Sequence, residues 1–309
     1  MSNILITTSS FAKNDPGPLK IIEQTGLNVV LNPLERKLTE QEVLDLILEH
    51  KPIAILAGVE PLTASVLQQA TGLKAIARAG IGMDSVDLDT AKQLYISVTN
   101  TPDAPTIPVA ELTVGMILTL LRQVHTSDAS IRQSQWTRPM GQLLYGKTVG
   151  LIGCGRIGSK LALYLKNFGC TVVGTDPACK THEDIQMAEL EEVLSVSDIV
   201  SLHLPYSTDT HHFINQERLK KFKPGSFLIN TARGGLVDED ALHDALVNKQ
   251  LAGTALDCFE NEPYTGPLKK FDNVLLTAHI GSYAKEARIM METQAANNLI
   301  SQLKKAGVL

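Results

Sequence analysis

The chain has 309 residues, 44% hydrophobic and 20% charged, with a net charge of −5 and a pI near 5.9. That length suits two domains with cores of their own, and the acidic balance offers no basic field for nucleic acid or an anionic membrane. The start, MSNILITTSSFAK, has neither a basic leader nor a long apolar run, so a soluble cytoplasmic protein without membrane or nucleic-acid partners is expected.

From the N-terminus, short apolar strands alternate with helical patterns. Strands are expected at Asn3 to Thr7, Leu27 to Leu31, Ile53 to Leu56, Lys74 to Ala77 and Ile96 to Val98. Helices are expected at Leu19 to Thr25, Thr39 to Glu49, Thr63 to Ala70 and Leu88 to Leu94. Thr39 with Glu42 forms a capping box for the second helix. The alternation predicts an α/β unit with a mostly parallel sheet. A proline-stiffened crossing, Asn100 to Pro108, then reads as one strand of a hinge. Val109 to Gln123 follows as a helix apolar nearly all round, which implies burial between domains or subunits. The single tryptophan, Trp136, is expected to pack beneath it as a core anchor. The apolar run to Leu121 contains Glu111 and is too short to span a bilayer.

The chain is organised around its middle. Lys147 to Ile152 is a strand rich in β-branched residues that leads into Gly153, Gly155 and Gly158, followed by a helix from Arg156 to Phe168 and a second strand from Thr171 that ends at Asp176. In such a motif the first glycine makes the turn, the second lets backbone approach a pyrophosphate, and the third lets helix pack on strand. The helix N-terminus supplies unpaired N–H groups for the phosphates. Asp176, 18 residues past the last glycine, is placed to bind the adenosine ribose and to repel a 2′-phosphate, which favours NAD over NADP.

Beyond Asp176 the alternation resumes. Helices are expected at Leu190 to Val196, Gln216 to Lys221, Glu239 to Asn248 and Ala284 to Lys305, and strands at Ile199 to Leu204, Ser226 to Asn230, Ala252 to Leu256 and Val274 to Leu276. The last helix carries Ala287, Met291, Ala295, Leu299 and Leu303 on one stripe. This completes a doubly wound sheet whose ligands sit at the carboxyl ends of strands. The first hundred residues hold no glycine triplet, so only the second sheet carries a nucleotide site. Cysteines 154, 170, 179 and 258 show no C-x-x-C spacing and no metal-ligand pattern, so reduced thiols and no metal are expected; Cys154 reads as a small filler.

Three residues at strand ends carry chemistry: Arg233 in TARGG, Glu262 in DCFENEP and His279 in TAHIG. An arginine grips a carboxylate with two parallel N–H bonds and polarises an adjacent carbonyl. A histidine gives or takes the proton that accompanies hydride transfer, and a carboxylate beside it favours the protonated ring. The His211-His212 pair lacks further ligands at metal spacing and reads as surface.

These segments, with GCGRIG, His203-Leu204-Pro205, ARAGIGMDSVDL from Ala77 and VAELTVGMIL from Val109, resemble the D-2-hydroxyacid dehydrogenases over essentially the whole chain. The resemblance implies two Rossmann-like doubly wound domains, with an NAD-binding domain (101–283) inserted into a discontinuous flavodoxin-like substrate domain (1–100 and 284–309). It also implies a homodimer joined through the inserted domain. By motif it makes Arg233 the carboxylate anchor, His279 the acid/base and Glu262 its partner. Arg156 and Ile157 would meet the pyrophosphate, Asp176 the ribose, and Pro205 and Thr210 the adenosine side. Thr231, Asp257 and Gly281 would line the nicotinamide. Gly58 would give its N–H to the substrate carboxylate, and Arg78 would face the substrate's far end.

The expected activity is NAD-dependent interconversion of a small D-2-hydroxy acid and its 2-keto acid. The segments from Ala77 and Asn100 look most like phosphoglycerate dehydrogenases. That family branch usually carries arginine in the loop that here reads Ala57-Gly58-Val59-Glu60, and Glu60 would oppose a phosphate dianion. A glyoxylate or hydroxypyruvate reductase is therefore the alternative. No regulatory domain follows Leu309, so feedback control through one is not expected. Formate dehydrogenases share the architecture but pair glutamine with histidine, which Glu262 argues against. An NAD(H)-sensing interaction protein on the same fold is the reading from another class.

Overall fold

The computed structural model describes residues 3–309. The chain forms two compact units, divided after Pro105 and again after Gly281, where the sequence placed the boundaries at 100 and 283. The first unit begins β1 (Asn3–Ile6), α1 (Gly17–Glu23), β2 (Asn28–Leu31), α2 (Glu40–His50), β3 (Ala54–Ala57), α3 (Ala64–Gln69), β4 (Ala75–Arg78), α4 (Leu88–Gln93) and β5 (Ser97–Thr99). Its strands pair in parallel in the order β2-β1-β3-β4-β5. Ile4, Leu5, Ile6, Ile55 and Leu56 are fully buried on alternate faces, as continuous apolar strands must be when helices cover both sides. The capping box of α2 is present, Glu42 N–H donating to Thr39 Oγ1 and Thr39 N–H to Glu42 Oε2.

The second unit holds α5 (Thr106–Leu121), α6 (Val124–Arg132), β6 (Thr148–Ile152), α7 (Arg156–Asn167), β7 (Thr171–Thr175), β8 (Gln186–Met187), α8 (Leu190–Val196), β9 (Ile199–Leu202), α9 (Gln216–Leu219), β10 (Ser226–Asn230), α10 (Glu239–Val247), β11 (Leu251–Leu256) and β12 (Val274–Leu276). Its sheet is parallel throughout, in the order β12-β11-β10-β9-β6-β7-β8. The order reverses between β6 and β9, which places a ligand crevice at their carboxyl ends. The last helix, α11 (Lys285–Lys305), returns to the first unit.

Three expectations need correction. Helix α5 starts at Thr106, inside the expected hinge, because proline costs nothing in a first turn whose N–H groups have no helical partner. Its apolar residues Ala110, Met116, Ile117, Leu120 and Leu121 pack in the core of the second unit with Leu161 and Leu165 of α7 and Ala255 of β11, so core burial explains its composition. Trp136 is no anchor: it is 83% exposed, in a segment where Met140, Leu143 and Tyr145 are exposed as well. Helix α6 and strand β8 escaped the sequence reading. The first is polar with no side-chain N-cap, and the second is only two residues long. No single described helix is long and apolar enough to cross a membrane.

The stripe on α11 is buried as expected, Ala295, Leu299 and Leu303 packing with Ile4, Ile6, Leu56 and Ala77. One turn carries an ion pair into this contact. Arg288 Nη2 donates to Glu292 Oε1 at 2.8 Å and to Ser10 Oγ at 2.9 Å, and Glu292 Oε2 accepts the Ala12 N–H at 2.9 Å. Burial pushes the Glu292 carboxyl up, against the hydrogen bonds and the guanidinium that favour its charged form. Removing one partner strands the other charge in a dry site. Glu292→Ala is therefore expected to destabilise the folded chain by about 3–5 kcal/mol, read as a lowered denaturation midpoint; an unchanged midpoint would show the pair to be idle.

Candidate active site

The glycine turn divides its tasks as the motif requires. Gly153 has φ +100°, and a Cβ there would lie 2.5 Å from the His203 carbonyl oxygen at the end of β9. At Gly158 a Cβ would sit 2.2 Å from the Gly153 oxygen, so the third glycine lets α7 close onto the turn. Gly155 is different, because a Cβ there would meet no protein atom within 4 Å. Its smallness serves no packing inside the chain and leaves open space at the N-terminus of α7, where no side chain caps the helix. Open backbone N–H groups at a helix start suit a pyrophosphate. Arg156 and Ile157 begin α7 beside this space.

Asp176 follows β7 and is held in place. Its Oδ2 accepts the Cys154 N–H and its Oδ1 the Ala178 N–H, both at 2.8 Å. Cys154 is 4% exposed, and burial, Asp176 and Cys179 push its thiol up to about 12, so it is a filler rather than a reactive thiol. The loop with Pro205 and Thr210 is closed on itself, Thr210 Oγ1 donating to the Pro205 carbonyl at 2.9 Å and accepting the Ser207 N–H at 2.7 Å. Nearby, His203 Nε2 meets Ser201 Oγ at 3.0 Å while its Nδ1 is buried without a partner, and burial lowers the ring to about 4. This ring is neutral at physiological pH.

The chemistry-bearing residues lie at the ends of β10, β11 and β12. Thr231 is buried and meets Thr113 Oγ1 of α5 at 2.9 Å. Arg233 follows in extended backbone, with Nη1 donating to the Ala232 carbonyl at 2.8 Å. A Cβ on Gly234 would stand 1.9 Å from the Phe259 carbonyl carbon. The missing side chain thus lets the arginine loop lie against the loop that carries Glu262. His279 Nδ1 lies 2.9 and 3.0 Å from the two Glu262 oxygens, and Glu262 Oε1 also accepts the Phe259 N–H at 3.2 Å.

Asp257 is fully buried and organises the loop that carries His279. Its carboxylate accepts Thr277 Oγ1 at 2.6 Å and the N–H groups of Ile280 and Gly281 at 2.8 Å, while its carbonyl accepts the His279 N–H at 2.8 Å. Those bonds hold His279 at φ +52°, a left-handed conformation that costs a non-glycine residue about 1–3 kcal/mol. Gly281 is buried against Asp257 and Val109.

In the first unit the Gly58 amide has an internal partner. Its N–H points to the Glu60 oxygens at 3.0 and 3.1 Å, and Thr7 Oγ1 donates to the same carboxylate. Glu60 is 2% exposed, and burial pushes its carboxyl up although Arg78 opposes the rise. An internal carboxylate therefore takes the amide assigned to the substrate. Arg78 itself folds over Gly80, with Nη1 donating to the Ala79 carbonyl at 2.7 Å. The sequence reading missed Thr113 and the structural use of Gly234. It also missed Cys258, whose thiol lies within 4.8 Å of the ligand atoms of Glu262 and His279.

A cradle shaped for a dinucleotide and a histidine–carboxylate pair on one parallel sheet define a dinucleotide-linked oxidoreductase. Residues 114–281 match the family model described as D-isomer specific 2-hydroxyacid dehydrogenase, NAD binding domain. The chain is 42% identical over 258 residues to the glyoxylate reductase of Thermofilum pendens, covering 79% of this chain and 76% of that one. It is 36% identical over 296 residues to the D-3-phosphoglycerate dehydrogenase of Methanocaldococcus jannaschii, covering 93% of this chain but 55% of that longer protein. Among solved structures, D-lactate dehydrogenase from Aquifex aeolicus complexed with NAD and lactic acid superposes with a TM-score of 0.85 at 30% identity, over 99% of this chain and 96% of that one. The chain belongs to the D-isomer specific 2-hydroxyacid dehydrogenases, a family of NAD-dependent oxidoreductases.

The open face of Gly155 and the fixed Asp176 fit NAD. Replacing Asp176 by alanine removes the brace on the turn and, if the carboxylate takes the ribose hydroxyls, their acceptor with it. Asp176→Ala is expected to weaken NADH binding about tenfold or more, the scale of a charged hydrogen bond, and to narrow the gap between NADH and NADPH; a wild-type enzyme that favours NADPH would contradict this assignment.

Proposed function

We propose that the protein reduces a small, unphosphorylated 2-keto acid such as glyoxylate or hydroxypyruvate to the 2-hydroxy acid, of D configuration where C2 becomes a stereocentre, and runs the reverse oxidation. The observation that carries the chemistry is the Glu262–His279 pair held beside the Arg233 loop by Gly234 and Asp257. Bound NADH supplies the hydride to the keto carbon. Arg233 grips the carboxylate and draws electron density from the neighbouring carbonyl. Glu262 holds His279 at Nδ1, which orients the ring and leaves Nε2 to donate a proton to the carbonyl oxygen. In the oxidation Nε2 takes that proton back. Thr231 and Gly281 are assigned to the nicotinamide side, and Asp257 to positioning His279.

In the first unit we assign substrate contact to Arg78 rather than to the Gly58 amide, which Glu60 already occupies. The same feature favours the unphosphorylated substrate over the phosphoglycerate reading. Glu60 is buried near Arg78, so that arginine already has an internal carboxyl group beside it and is less available to a phosphate dianion.

The direct test is NADH oxidation with glyoxylate, hydroxypyruvate and 3-phosphohydroxypyruvate in parallel. Turnover is expected with the first two. Preference for the phosphorylated acid would restore the phosphoglycerate reading, and no turnover on any 2-keto acid would leave an NAD(H) sensor. His279→Ala should slow the reaction by about 10²–10⁴, the usual share of a positioned acid/base; near-normal turnover would remove the histidine from that role.

We also infer that the chain pairs through the second unit. Trp136, Met140, Leu143 and Tyr145 are 83, 89, 68 and 76% exposed, and apolar side chains gathered in one exposed segment mark an association surface. Sedimentation equilibrium is expected to give a dimer for the wild type and a monomer for Trp136→Glu/Met140→Glu; a wild-type monomer would sink this reading.

A further inference from the structure

The thiol of Cys258 is not used by the chemistry above, yet it sits beside the proton-handling pair. Cys258 Sγ, a Glu262 carboxylate oxygen and a ring nitrogen of His279 all lie within 4.8 Å of one another. The thiol is buried, whereas the side chains of Glu262 and His279 are 33% and 40% exposed, so an ion reaches the cluster from the histidine side. Cys258 Sγ donates to the Ala232 carbonyl at 3.4 Å, and Arg233 Nη1 donates to the same oxygen at 2.8 Å.

We propose that Cys258, Glu262 and His279 form an inhibitory site for a thiophilic divalent cation, zinc above all. The donors are one thiolate, one imidazole and one carboxylate, which together select zinc or cadmium over magnesium or calcium. Zinc bonds of about 2.3 Å to sulfur and about 2.0–2.2 Å to nitrogen and oxygen put tetrahedral ligands roughly 3.3–3.7 Å apart. Glu262 and His279, now 2.9 to 3.0 Å apart, therefore move slightly apart to admit the ion between them, through the exposed arm of Glu262. The two negative ligands balance the two positive charges, and a water completes the fourth position.

The consequence for the reaction follows from proton counting and rests on the acid/base role given to His279. Cys258 releases its proton to solvent as the metal–sulfur bond forms. His279 Nδ1 exchanges its N–H for a metal bond, and the ring keeps a single proton on Nε2. Giving that proton to a carbonyl oxygen would leave an imidazolate, so the donor step stops. Nothing is oxidised or reduced, and a chelator restores the free pair.

The experiment measures NADH-dependent reduction of hydroxypyruvate, with glyoxylate as a second substrate, at rising zinc concentrations. Cadmium binding is followed separately by its thiolate charge-transfer absorption. Wild-type turnover is expected to fall at micromolar zinc and to recover with a chelator. In Cys258→Val, which keeps an apolar side chain in the buried position, the inhibitory concentration should rise by about a hundredfold, since even a supporting partner of a metal ligand is worth about 10–100-fold in affinity. Cadmium should raise a charge-transfer band in the wild type that is absent from Cys258→Val and weaker in His279→Ala. The band does not depend on turnover, so a protein without 2-keto acid activity would still report on the metal site. Equal zinc sensitivity in Cys258→Val, or a cadmium band unchanged by that substitution, would overturn the proposal.

Discussion

One buried carboxylate organises the candidate active site. Asp257 follows β11 and gathers Thr277, Ile280 and Gly281 around its two oxygens while its own carbonyl takes the His279 N–H. A loop bound at that many points cannot relax, and His279 is kept in a backbone conformation it would not choose alone. Its Nδ1 meets Glu262 from that pose. Without the knot, the residues that exchange protons would still be present but would have no fixed relation to each other. Gly234 does the matching work on the other side, because only a residue without Cβ lets the arginine loop lie against Phe259.

Much of the framework was legible in the sequence because it is written in short-range patterns. The strands Ser226–Asn230 and Val274–Leu276 and the helix Leu190–Val196 stand where apolar periodicity puts them. The glycine motif was readable for the same reason, each glycine answering a local steric demand. The Arg, Glu and His trio was legible because each closes a strand of one parallel sheet, and such sheets gather ligands at that edge.

What escaped depends on where side chains turn in the folded chain, which short-range apolar patterns do not record. Nothing local to Asp257 shows that its carboxylate faces inward, and nothing in Ala57-Gly58-Val59-Glu60 shows Glu60 bending back onto the Gly58 amide. Trp136 was misplaced because a large aromatic is a core anchor by composition alone, and exposure is a property of the folded surface. Helix α5 was read correctly as a buried helix, but an all-apolar helix does not say which core it fills, and much of its apolar surface packs in the core of the second unit. Cys258 has no ligand spacing within reach of a pattern search, because its companions arrive on different turns of chain.

The return of α11 to the first unit imposes an order on biosynthesis. Leu299 and Leu303 complete a core whose other members, Ile4, Ile6, Leu56 and Ala77, leave the ribosome more than two hundred residues earlier. The second unit is contiguous and closes its sheet without waiting. On the ribosome the middle of the chain is thus free to fold first, while the core of the leading strands stays incomplete until the last helix is made.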